Sequence, residues 1–184
     1  MTRGTLTRRE WLAIGLTTGM SSSQTLLVRR EGDRLRVSAP QIRFLTGKPL
    51  EHLKNGASVA FHSLVTLTLE SQQAIARLAD RFVVSYDLWE EKFSATRLGP
   101  PRRSISRLSA PAAETWCLDH PLGIPAGLGA RSPFWVRLEL RAEDPRETTA
   151  VVGEPGINIT RLIEMFSRPP RGQQLRWTAG AGPL

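Results

Sequence analysis

The sequence predicts a mainly β fold: an antiparallel β-sandwich, immunoglobulin-like or related, with three or four short helices. Three observations carry that expectation. Apolar and polar residues alternate along several long stretches, the pattern of strands with one buried face. Turns bearing glycine and proline punctuate those stretches. The helical segments are short and do not alternate regularly with strands, so a parallel sheet is not expected. With 184 residues, 40% of them hydrophobic, the chain suits one core-bearing domain behind a short leader.

Residues 1–23 have the layout of an export signal. Arg3, Arg8 and Arg9 form a basic start, and residues 11–20 an apolar centre too short to span a bilayer. Ser21, Ser22 and Ser23 supply small residues for cleavage near Ser23. Thr7-Arg8-Arg9-Glu10-Trp11-Leu12 resembles the twin-arginine export motif, with Arg8, Arg9, Trp11 and Leu12 at its key positions. It departs from the motif in carrying Trp11 where phenylalanine is usual and in lacking a basic residue after Leu12. Residues 24–184 are then a single β-rich domain.

Residues 26–30 and 34–39 flank Glu31-Gly32-Asp33 and read as a hairpin. Leu35, Val37 and Ala39 face one way there, and Arg34, Arg36 and Ser38 the other. A proline start and an Asn55-Gly56 stop bound a helix over 49–55. A long strand over 58–70 puts Val59, Phe61, Val65, Leu67 and Leu69 on one face. Ser71 then caps a helix over 72–80, with Ile75, Leu78 and Ala79 on its buried side.

Residues 81–97 read as one strand whose apolar phase shifts from Phe82, Val84, Tyr86 and Leu88 to Trp89, Phe93 and Ala95. That shift predicts a β-bulge near 88–90. A helix over 111–118 follows Ser109 and buries Trp116 or Cys117. Loops are expected over 122–133 and 144–156. Between them, a strand over 132–143 turns Phe134, Val136, Leu138 and Leu140 inward and Arg137, Glu139 and Arg141 outward. Ile159, Leu162, Ile163 and Phe166 have amphipathic helix spacing behind the Asn158 cap, with Ile157 stapling onto Leu162. A short strand covers 174–178, and the small apolar tail 179–184 is expected to fray.

The formal charge of +8 comes almost wholly from arginine, since only Lys48, Lys54 and Lys92 are lysines. Such a balance suits anionic partners, although a solvated arginine face accounts for it as well. The densest cluster, Arg102, Arg103 and Arg107, is a candidate anion or partner contact. It lacks the interleaved aromatics of a nucleic-acid surface, so no nucleic acid is expected. A lone cysteine, Cys117, excludes an intrachain disulfide and a cysteine-built zinc cage.

Catalytic signals are weak. His52, His62 and His120 have no nucleophile elbow among their neighbours. Cys117 and His120 would offer a metal two ligands, which is not a site. Asp87, Glu90 and Glu91 lie beside Tyr86 and Trp89, but Glu90 and Glu91 would point to opposite faces of a strand. Gly123, Gly127 and Gly129 do not have phosphate-loop spacing. No catalytic, metal or cofactor residue is assigned.

A tyrosine-bearing strand over 81–88 leads to a second strand over 89–98, then through Ser104-Ile105-Ser106 into the helix after Ser109. Earlier, Leu53 and Gly56 precede a long strand. On these features residues 34–143 resemble an uncharacterised bacterial family of exported proteins, domain of unknown function 4390. The C-terminal segment departs from that pattern. The resemblance implies an envelope location and, through the family's frequent nearness to sensor histidine kinases, envelope signalling; it names no catalytic residue.

The sequence therefore points to a non-catalytic periplasmic or secreted module that binds an envelope protein, has no membrane span in the mature chain and is of undetermined oligomeric state. A sheet edge or the arginine faces of the strands bearing Leu35 and Leu138 would be the contact. A small hydrophobic-ligand carrier is the alternative, with Phe61, Tyr86, Trp89, Phe93 and Trp135 as candidate cleft aromatics. An envelope hydrolase is a third reading and would need, for example, His62 near Asp87.

Overall fold

Period-2 alternation builds most of the described residues. A computed structural model describes residues 24–69, 73–123, 133–143, 163, 166–167 and 175–182. Its elements run β1 (Gln24–Thr25), β2 (Leu27–Glu31), β3 (Arg34–Ser38), α1 (Gly47–Lys54), β4 (Val59–Leu69) and β5 (Ala74–Asp87). They continue with β6 (Lys92–Arg97), β7 (Arg103–Leu108), α2 (Ala110–Cys117), β8 (His120–Gly123), β9 (Phe134–Ala142) and β10 (Arg176–Ala181).

Seven strands form one sheet in the order β1-β10-β9-β4-β5-β6-β7, and β2-β3-β8 form a second. All pairings are antiparallel except that of β1 with β10. Leu35, Val37 and Leu122 of the small sheet share one core with Phe61, Val65, Phe82 and Leu138 of the large one. The fold is thus mainly β, with two antiparallel sheets around a common core.

Aromatic rings fill the centre of that core. Phe61 lies 4.7 Å from Phe44 and 5.5 Å from Phe82, and Trp177 of β10 closes on Phe44 at 6.2 Å. Burying each phenylalanine contributes about 2–3 kcal/mol. Glu114 of α2 accepts the Leu45 N–H at 2.9 Å, which ties the helix to the segment that carries Phe44. Burial pushes the Glu114 carboxyl above its usual range, against the Leu45 N–H and Arg43, which lower it.

Several expectations hold. Leu35, Val37 and Ala39 are buried together, and Gly32, at φ +64°, turns the β2–β3 hairpin. Helix α1 begins at Gly47, two residues before the expected proline start, and stops as expected at its Asn55 C-cap, with Gly56 in the left-handed region at φ +83°. Val136, Leu138 and Leu140 are buried on one face of β9, and Cys117 of α2 is in the core.

Others need correction. Residues 74–80 are not a helix but the first half of β5, with Leu78 opposite Val65 and Ala76 opposite Leu67. Alanine, leucine and arginine favour a helix there, but pairing along β4 outweighs so weak a preference. Two helices are defined among the described residues, where three or four were expected. Residues 81–97 are not one bulged strand. The chain reverses at 88–91, setting Tyr86 opposite Phe93 and Val84 opposite Ala95, so the phase shift is a hairpin turn. Residues 120–123 are a strand where a loop was expected from 122. The supposed fraying tail enters β10, where Ala179 is buried.

Ile163 and Phe166 are helical, as their spacing predicts, and so is Ser167, whose hydroxyl donates to the Ile163 carbonyl at 2.8 Å. The leader with Arg8, Arg9, Trp11 and Leu12, the Ser71 cap, and the cap and staple at Ile157, Asn158 and Leu162 lie outside the described residues.

Candidate partner-binding surface

The β5–β6 hairpin ends in a tip that its own backbone chemistry fixes. The Asp87 carboxylate accepts the N–H groups of Trp89 at 2.8 Å and Glu90 at 3.0 Å. Those two hydrogen bonds, Glu90's first, hold the Asp87 carboxyl below its usual range. Glu91 takes a left-handed conformation at φ +53°, which completes the reversal without glycine. On this frame Trp89 is 96% exposed and Leu88 55%. Large apolar side chains held out in water on an ordered turn are a feature of contact surfaces.

Beside the tip runs β7, the last strand of the large sheet. One edge of it pairs with β6; the other has no partner among the described residues. Phe93 faces Leu108 and Ala95 faces Ile105, so β7 carries one extra residue between those pairs. Arg107, at φ +61°, lies in that bulge. Its guanidinium grips Glu90 of the tip with two bonds, at 3.1 and 2.9 Å. Arg103 and Arg107 therefore do not share a face, as a regular strand would require, because the bulge breaks the alternation. Arg103 sits opposite Arg97, on the same face as Ile105 and Leu108. Both Arg102 and Arg103 are exposed.

Between β7 and α2 lies an open groove of about 590 Å³, lined by Ile105, Leu108, Pro111, Ala112, Thr115 and Trp116 among others. Its far wall is anchored by Arg97, a residue with no distinguishing mark in the sequence. Arg97 Nη2 donates to the carbonyls of Trp116 at 2.7 Å, Cys117 at 3.2 Å and Asp119 at 2.7 Å. The same guanidinium lies 5.1 Å from the Trp116 ring centroid and 3.2 Å from Asp80. It thus satisfies carbonyls at the negative end of α2 while fixing one wall of the groove.

No protein-family model, no curated protein and no solved structure matches this chain.

The other candidate residues are dispersed. Phe61 and Phe93 fill the core, and Tyr86 packs on Phe93 at 4.8 Å. Trp135 is on the opposite face of the large sheet, in a cleft of about 610 Å³ with Leu64, Thr66, Thr68, Arg77 and Arg137. The five aromatics therefore line no common cleft between the sheets. Of the arginines on β9, Arg137 pairs with Glu139 at 2.8 Å, while Arg141 is buried 4.7 Å from the Phe166 ring. Glu139 also takes Arg176 at 2.7 Å. On β3, Arg36 is held by Glu31 and Asp119.

His62 is beside Arg81 in the β4–β5 register and meets Glu143 at 3.3 Å. Asp87 is six residues further along β5, roughly 20 Å away at the rise of a strand. Burial pushes the Glu143 carboxyl up, but hydrogen bonds from His62 and Arg81 outweigh it and hold the group at about 2. His120 is wholly buried 4.0 Å from Asp80, and burial lowers its pKa to about 3, leaving it neutral. Burial likewise pushes the Cys117 thiol well above its usual range, away from the reactive thiolate. His52 is exposed on α1. No group of three or more metal-ligating side chains occurs among the described residues, and no described helix is long and apolar enough to cross a membrane.

Proposed function

We propose that this chain is an exported, non-catalytic module of the bacterial envelope, periplasmic or secreted after signal cleavage, that binds another protein through its hairpin tip. The β-sandwich scaffold, immunoglobulin-like or related, serves to hold that surface. One observation carries the reading: Trp89 stands 96% exposed on a turn whose backbone Asp87 fixes. Tryptophan dominates binding energy at protein interfaces, and a preordered turn loses little entropy when it docks. The leader-like layout of residues 1–23 supports the location. A photo-crosslinking amino acid placed at Leu88, in the full chain expressed in its native host, tests the reading. One dominant protein adduct, lost on Trp89→Ala, is the expected result; lipid adducts alone would overturn it.

A second reading, a carrier of a small amphipathic anion, is favoured by the cleft that holds Trp135. Leu64 and Trp135 there offer apolar contact, and Arg77 and Arg137 offer charge. Binding of a fatty acid that Arg77→Glu abolishes would support it.

A further inference from the structure

The tip is not the whole surface, because it adjoins a sheet edge and a groove that together specify what shape of partner would fit. We propose that the edge of β7 that has no partner among the described residues, with the groove between β7 and α2, takes an extended acidic segment of the partner by strand addition. This rests on the protein-binding reading above and names the recognition chemistry.

An edge strand offers a row of backbone donors and acceptors, and an added strand satisfies them without reference to sequence. Specificity must then come from side chains. In an added strand alternate residues point to the same face, the one on which Ile105 and Leu108 open into the groove. Apolar residues at those alternate positions would enter between Ile105, Pro111 and Trp116. Arg97 holds Trp116 in place from behind, so the groove is built before any partner arrives.

Charge selects the occupant. Arg103 begins the strand and Arg102 directly precedes it, both exposed and without an ion pair among the described residues, while Arg107 at the bulge is already paired with Glu90. Asp119, the carboxylate at the groove, is already engaged by Arg36 at 3.0 Å. A second copy of this chain is disfavoured as the occupant. Strand β7 carries Arg103 and Arg107 and no carboxylate, so a second copy of it offers Arg103 no counter-charge. A strand bearing a carboxylate supplies one.

The test uses the full chain, ¹⁵N-labelled, and a library of capped ten-residue peptides whose alternate positions carry varied apolar residues and end in a glutamate, so that the glutamate shares the groove face with Arg103. Amide shifts confined to β7, α2 and the hairpin tip are expected, with affinity falling about tenfold on Arg103→Glu, the loss of one good charge contact. Methylating alternate backbone nitrogens of the bound peptide removes its strand donors and should abolish binding, while a lysine-for-glutamate library should not bind. Binding that survives N-methylation, shifts outside this edge, no binding across the acidic library, or a dimer whose interface maps to β7 each overturns the inference. Crosslinking at the tip reads the broader proposal independently. A Trp89-dependent protein adduct alongside a silent peptide library would leave protein binding standing and remove strand addition.

Discussion

Arg97 and Trp116 are joined twice: the guanidinium lies 5.1 Å from the indole centroid and donates to the Trp116 carbonyl at 2.7 Å. The first contact fixes the ring and the second fixes the helix end that carries it. Asp80 balances the charge at 3.2 Å, in a place where burial pushes its own carboxyl upward. Removing the arginine would strand both the carboxylate and the helix carbonyls. Arg97→Met should lower stability by about 3 kcal/mol, the typical result of breaking a buried pair from one side. Urea unfolding measures the loss. Asp80→Asn added to Arg97→Met should recover part of it, because the neutral amide no longer needs a cation.

His120 carries the opposite prediction. Both ring nitrogens are buried without a hydrogen-bond partner, so replacing the ring by an apolar side chain removes a penalty along with the packing. His120→Met should stay within about 1 kcal/mol of the parent at neutral pH. Its effect emerges in acid. The folded-state value, about 3, lies below the ordinary 6.5, so the unfolded chain takes up the proton first. Stability is then full above pH 6.5 and falls as the pH drops toward 3. At pH 5 the parent should have lost on the order of 2 kcal/mol that the variant keeps. Asp80, raised by burial, works in the other direction and is present in both proteins. Urea midpoints for the pair at pH 7 and pH 5 decide it.

How far the sequence could be read depended on which interaction fixed each segment. The buried faces of β3 and β9 were legible because one face of each is apolar and the alternation is unbroken. Residues 74–80 were not, since Ala74, Ala76, Leu78 and Ala79 suit either period and only β4 settles the matter. The 88–91 reversal lacks glycine and so hid as a phase shift; Asp87, placed to accept from Trp89 and Glu90, was the signal available for it. Strand β8 was not legible because the glycines and prolines over 122–133 read as a loop from its third residue; Pro121 is tolerated within it because β8 is at the edge of the small sheet. In the candidate surface, the basic trio Arg102, Arg103 and Arg107 could be seen directly. That these residues mark a sheet edge, and that Trp89 stands clear of the core, depended on strand order, which no local pattern encodes.

Glu143 predicts a second acid-sensitive phase. Arg81 donates to it at 2.8 and 3.1 Å and His62 at 3.3 Å, and these bonds outweigh burial to set its pKa at about 2, against an ordinary 4.5. Its contribution is therefore whole above pH 4.5 and disappears as the pH falls toward 2. Glu143→Gln should cost about 2 kcal/mol at neutral pH, by leaving Arg81 without its charged acceptor. It should also flatten the stability profile within that acid window, which a series of thermal melts would show.

Trp89 is the residue at which stability and binding should separate most sharply. Its side chain touches almost nothing, since 96% of the residue is exposed, while the turn beneath it is held by Asp87 and Arg107 rather than by the indole. Trp89→Ala should therefore change folding stability by no more than about 0.5 kcal/mol, as expected for a surface position. The same change should weaken partner binding by about 2 kcal/mol or more if the indole is the anchor of the interface. Denaturant unfolding gives the first quantity, and titration against the crosslinked partner, once isolated, gives the second. A loss of stability matching the loss of binding would mean that the indole supports the hairpin and does not engage a partner.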